Sequence, residues 1–146
     1  MTVSAAMRSR SDVVTVTPRE TVRHVVALFA DTRIGAVPVL DGERIVGLMS
    51  ERDLIYALRT NGAAVMDWAV DRVMTSPALT VAPDTTALVA LSMMTRRRVR
   101  HFPVVEGDRM VGFVSIGDLV KWRLDQIEQE AAAMRAYIQG DYERHI

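Results

Sequence analysis

Two segments of this 146-residue chain place a hydroxyl and a carboxylate three residues apart behind a shared glycine: GLMSERD at residues 47–53 and GFVSIGD at residues 112–118. A serine at a helix start accepts a backbone N–H, and an acid in the first turn suits the helix dipole, so capping alone accounts for Ser50 and Ser115. It accounts less well for Asp53 and Asp118 recurring in register behind a fixed glycine. A carboxylate at a helix start also accepts two hydrogen bonds from a vicinal diol, while the serine hydroxyl and unpaired helix N–H groups face a phosphate. That combination suits a ribonucleotide.

A nucleotide further needs countercharge for its phosphate and an apolar slot for its base. Arg100 and His101 stand immediately before Phe102 and Pro103, at the head of a hydrophobic strand. The matching position in the first half of the chain reads Gly35 and Ala36, which supply no charge. The second half is therefore the stronger candidate for binding.

Other chemistries find little support. His24, His101 and His145 are scattered, and no Ser/His/Asp set, paired carboxylates or metal-ligand cluster can be assembled from the spacing. The expectation is a protein that is not an enzyme and needs no cofactor. The chain has no cysteine, which removes thiolate catalysis and sulfur-ligated zinc. Basic and acidic residues balance at 18 each, so no net charge draws the molecule to a polyanion. Arg96, Arg97, Arg98 and Arg100 sit at one helix end with no DNA- or RNA-binding motif around them, so nucleic acid is not expected as a partner; Arg96 and Arg97 read as solvated charge favoured by the helix dipole. No apolar run is long enough for a signal-peptide core or a membrane span, so a cytoplasmic location with no membrane contact is expected.

The elements that must position these residues come from a repeat. Shifted by 65 residues, the chain aligns with itself without a gap over 46 positions from Val14 and Leu79, with 14 identities that include Arg33/Arg98, Arg44/Arg109, Gly47/Gly112 and the corner residues. Each copy reads as a short strand (residues 14–17 or 79–82) ended by a proline that favours a helix start, then apolar residues at helical spacing, then two strands joined at Asp41 and Gly42 or at Glu106 and Gly107, then a second helix. The expected fold is α/β: two tandem β-α-β-β-α repeats packed with pseudo-twofold symmetry, Pro38 and Pro103 lying near a strand edge or start. The assigned units are residues 1–62, residues 63–125 and a helical extension at 126–146. The opening SAAMRSRSD also echoes DRVMTSPA of the connector, if two extra residues are allowed. Val120, Leu124, Ile127, Ala131, Met134 and Ile138 form one stripe on a helix expected to stop at Gly140, for packing on its own core or on a second copy.

These segments closely resemble the tandem CBS domains, named after cystathionine beta-synthase, whose pairing forms a Bateman module. The resemblance covers about residues 3–125 and rests on the two corners, the two h-P-V strands and the repeat register. It implies a regulatory module that binds AMP, ADP, ATP or a related adenosine compound between the copies and pairs into a homodimer acting on a separate, unidentified protein. It places Asp118 and Asp53 on ribose, Ser115 and Ser50 near phosphate, and Arg100 or His101 against phosphate. Thr80 and Ala82, or Thr17, with the backbone around Phe102 and Pro103, or Val37, would line the adenine pocket.

Overall fold

The computed structural model describes residues 1–144, so His145 lies outside the described residues. The chain opens with one helical turn, α1 (Val3–Ala6), and a two-residue strand, β1 (Arg8–Ser9). The first copy follows as helix α2 (Val22–Thr32), strands β2 (Ala36–Asp41) and β3 (Arg44–Ser50), and helix α3 (Glu51–Asn61). Two short 3-10 stretches, Gly62–Asp67 and Val70–Arg72, lead to the second copy: helix α4 (Ala87–Arg97), strands β4 (His101–Glu106) and β5 (Arg109–Ser115), and helix α5 (Ile116–Arg144). No described helix is long and apolar enough to cross a membrane.

The repeat register is physical at every turn. Thr21 and Thr86 cap α2 and α4 by accepting the backbone N–H groups of His24 and Val89. Both helices end on an arginine in the left-handed conformation, Arg33 and Arg98, each with φ 54°. Each hairpin turns on two residues, Gly42 and Glu43 or Gly107 and Asp108; each glycine has φ 65°, as a tight turn of this length requires at its first position. Val16, Val25, Phe29, Val37, Val39 and Met49 in one core answer Val81, Ala90, Met94, Phe102, Val104 and Val114 in the other. Volume is traded within the pattern, because Val22 with Val37 in the first copy becomes Ala87 with Phe102 in the second.

The expected first strands shrink to single parallel bridges, Val16 to Val39 and Val81 to Val104. Each proline explains why: Pro38 and Pro103 accept from Val16 and Val81 through their carbonyls but have no N–H to extend the ladder. The prolines at 18 and 83 begin turns, closed by Glu20 N–H to Thr17 O and Thr85 N–H to Ala82 O, and the helices start only after the capping threonines. Helix α5 does not stop at Gly140 but runs to Arg144.

The two copies meet at their hairpin tips and exchange flanking segments. Ile45 donates to Asp108 O and Met110 to Glu43 O, while Arg44 pairs with Asp108 and Arg109 with Glu43 across the same axis. The N-terminal segment packs on the second copy: Val3 joins its core, and Arg8 and Ser9 pair with Phe113 and Gly112 of β5. The connector does the same for the first copy, with Val65 and Val70 in its core and Thr75 bridged to Leu48. Leu48 and Phe113 are 65 residues apart, so Arg8 and Thr75 hold equivalent places, and the echo between the two segments has a structural basis.

The fixed glycines make room for this exchange. A Cβ on Gly47 would stand 2.5 Å from Met74 Sδ and 3.0 Å from Thr75 O; on Gly112 it would stand 2.5 Å from Met7 Sδ and 2.8 Å from Arg8 O. The methionine can shift, but the carbonyl belongs to a paired backbone. Gly47→Ala and Gly112→Ala should each destabilise the fold by about 1–3 kcal/mol, seen as a lowered urea midpoint with an unchanged slope.

Candidate functional site

At the end of β3 the chain turns into α3 through a reciprocal capping box. Ser50 N–H donates to Asp53 Oδ2 at 2.9 Å, and Asp53 N–H donates to Ser50 Oγ at 3.2 Å. The corner after β5 repeats it, with Ser115 N–H to Asp118 Oδ2 at 2.9 Å and Asp118 N–H to Ser115 Oγ at 3.0 Å. The first helical N–H groups are also engaged, Glu51 with Gly35 O and Ile116 with Arg100 O. The helix starts are thus partly closed to a phosphate, contrary to the expectation of unpaired N–H groups there. What remains is the second oxygen of each carboxylate. Asp53 Oδ1 accepts from Thr75 Oγ1 at 2.8 Å, and Asp118 Oδ1 stands 3.5 Å from Arg8 Nε.

Each corner faces a cavity whose other wall comes from the opposite copy. Ser50 and Asp53 share a cavity of about 510 Å³ with Arg98 and Arg100 of the second copy. Ser115 and Asp118 share one of about 180 Å³ with Arg33, Gly35 and Ala36 of the first. This crossing separates residues that the sequence reading grouped: Arg100 belongs with Asp53, not with Asp118, because the loop before each second strand reaches across the pseudo-twofold axis. His101 lines both cavities. The side chains of Val37 and Phe102 are fully buried in the two cores, and Pro103 lies within β4. Thr17, Thr80 and Ala82 lie outside the lining of both cavities; the N–H groups of Thr17 and Ala82 are held by Glu20 and Thr85 side chains.

The CBS domain model matches residues 3–60 and again residues 70–125. The chain belongs to the CBS domain family. Among its relatives is the mitochondrial CBS domain-containing protein CBSX3 of Arabidopsis thaliana, 33% identical over 131 residues that cover 86% of this chain and 64% of that one. A CBS-domain containing protein from Agrobacterium tumefaciens has a crystal structure that superposes with a TM-score of 0.76 at 34% identity, covering 84% of this chain and 99% of that one. CBSX2 of Arabidopsis thaliana, in a crystal structure with AMP, superposes with a TM-score of 0.76 at 26% identity over 87% of this chain and 98% of that one.

Within this CBS pair, sequence reasoning missed two cavity arginines. Arg33 and Arg98 are the left-handed helix ends, and each lines the cavity facing the other copy's corner. A branched or long side chain at positive φ carries a local cost of about 1 kcal/mol, and two identical residues carrying it in register were the available signal. Arg8, Thr75 and Tyr56 were also missed, since nothing in their spacing connects them to a corner. Arg96 was read correctly as helix surface, where its guanidinium bonds Ser92 Oγ at 2.9 Å.

His101 is the charge-sensitive point of the CBS pair. Its ring stacks on Phe113, with centroids 5.5 Å apart and planes 14° from parallel. Burial holds its pKa below the ordinary range; Asp118 and Glu51 pull it up, while Arg8 and Arg100 push it down. The folded chain therefore holds this proton less tightly than the unfolded chain does. Stability should fall as pH drops below about 6.5 toward the folded-state pKa, and His101→Gln should remove that part of the loss. Denaturation midpoints across pH, with an NMR titration of the His101 ring, check both statements.

Proposed function

We propose that this CBS pair is a non-catalytic regulatory module that senses an adenosine nucleotide, AMP, ADP or ATP, in the clefts between its copies and relays occupancy through a homodimer to a separate protein in the cytoplasm. The observation that carries the reading is the pairing of each corner carboxylate with arginine from the opposite copy, in one cavity. A carboxylate oxygen turned to the cavity accepts from ribose hydroxyls, and guanidinium groups answer phosphate. Binding in such a cleft adds to the contacts between the copies, which meet at their hairpin tips and through Arg52 Nη1 donating to Arg98 O at 2.8 Å, and gives the ligand a way to bias their relative placement. The relative CBSX2, crystallised with AMP, supports the ligand class.

The homodimer rests on the surface of α5. Val120, Leu124, Ile127, Met134 and Ile138 are all exposed in the single chain, and Ala131 is half-buried in the same stripe. Their alternating spacing of four and three suits a helix seam between two copies. The same stripe supports a second reading, a ligand-free dimerisation or interaction module.

Calorimetry with AMP, ADP, ATP, NAD and S-adenosylmethionine separates the readings. Binding of at least one adenosine nucleotide is expected, reduced about tenfold or more in the double variant Asp53→Ala, Asp118→Ala. No binding of any of the five at millimolar concentration would leave only the ligand-free reading. Sedimentation over a concentration series should show a two-chain species, and Leu124→Glu with Ile127→Glu should return it to a single chain.

A further inference from the structure

The two cavities look equivalent by symmetry, but the groups at their carboxylates are not. At the first corner, the free oxygen of Asp53 is met by a neutral hydroxyl, Thr75 Oγ1 at 2.8 Å. At the second, the equivalent position is filled by a cation, Arg8, with Nε 3.5 Å from Asp118 Oδ1. We infer that Arg8 acts as a built-in plug of the second cavity, so that a single nucleotide binds per chain, at the cavity of Asp53 and Arg100. This rests on the nucleotide reading above and reverses the sequence-based preference for the second corner.

Three independent features point the same way. The first is room. Sites for ligands of nucleotide size are commonly about 300–1,000 Å³; the cavity at Asp53 has about 510 Å³ and the one at Asp118 about 180 Å³.

The second is charge. The lining at Asp53 contains Arg52, Arg98 and Arg100 against Glu51 and Asp53, three cations to two anions, with His101 between. The lining at Asp118 contains Arg8 and Arg33 against Asp12 and Asp118, two to two, with the same His101 between. Arg8 is moreover already engaged with Asp118, and Asp12 repels a phosphate. An anion entering the second cavity meets a neutralised wall.

The third is the cost of exchange at the carboxylate. Thr75 can rotate its hydroxyl away, or turn it to accept from the ligand, while a ribose diol takes the oxygen it leaves. Displacing Arg8 instead separates a guanidinium from a carboxylate whose side chain is only 16% exposed. Arg8 itself is 58% exposed, but leaving the sheltered carboxylate unpaired costs more than turning a hydroxyl. Arg8 is also held in place by its backbone, since β1 is paired with β5 at Arg8 and Phe113. Apolar contact for a base is available at the first cavity from Leu48, Leu79 and Tyr56.

The test uses the full chain, calorimetry and whichever of AMP or ATP binds wild type more tightly. One nucleotide per chain is expected. Asp53→Ala should weaken it about tenfold or more. Arg8→Thr, which installs the residue of the equivalent position, should raise the stoichiometry from one to two, and the added site should vanish in Arg8→Thr with Asp118→Ala. The converse variant Thr75→Arg should close the first cavity, with its thermal midpoint confirming that it folds. Two nucleotides bound by wild type, or loss of binding in Asp118→Ala alone, would overturn the plug while leaving the nucleotide reading intact. Absence of binding in both wild type and Arg8→Thr would remove the nucleotide reading and the plug with it.

Discussion

A carboxylate at the third position of a helix has two oxygens, and folding this chain uses one of them. At both corners Oδ2 closes the capping box with the serine backbone, which fixes the side chain and points Oδ1 away from the helix. Capping and a contact across the cavity are therefore complementary uses of one residue. The serine is spent on the helix, and the aspartate is divided between structure and cavity. The neighbour that meets the second oxygen is one difference between the two cavities, Thr75 at Asp53 and Arg8 at Asp118.

That neighbour is supplied by chain exchange. Each copy lacks one strip of its own sheet edge and receives it from the segment that precedes the other copy, residues 1–9 for the second copy and residues 65–76 for the first. The glycines at 47 and 112 admit the strip closely, and the methionine before it fills the groove. Such an arrangement couples the cores to the cavities, because the strip that completes a hydrophobic core also delivers Thr75 or Arg8 to the carboxylate. The ion pairs at the hairpin tips are exposed and add little energy, but they set the axis about which the copies face each other.

The sequence made the local chemistry legible because it depends on short spacings. Hairpin glycines, core positions and corner serines all act within a few residues, and a repeat doubles every such signal. What it hid were relations across the axis. Arg100 sits 15 residues before Ser115 in the chain, yet its side chain belongs to the cavity of Ser50, a partnership visible only once the copies are placed face to face. The first strands failed for a smaller reason, since apolar alternation was present but Pro38 and Pro103 withheld the donor that a longer ladder needs. Gly140 was read as a helix stop from its type alone, and in an exposed stretch of a long helix that preference was overridden.

His101 has no counterpart in the first copy, where the same place is Ala36, so the pseudo-twofold pair owns a single imidazole in the wall common to both cavities. Any anion that alters the proton affinity of this ring from one side must itself be bound more or less tightly when the ring is protonated, and the other side experiences the same ring. Reciprocity then requires that proton and anion change each other's affinity by the same factor, even when no backbone moves.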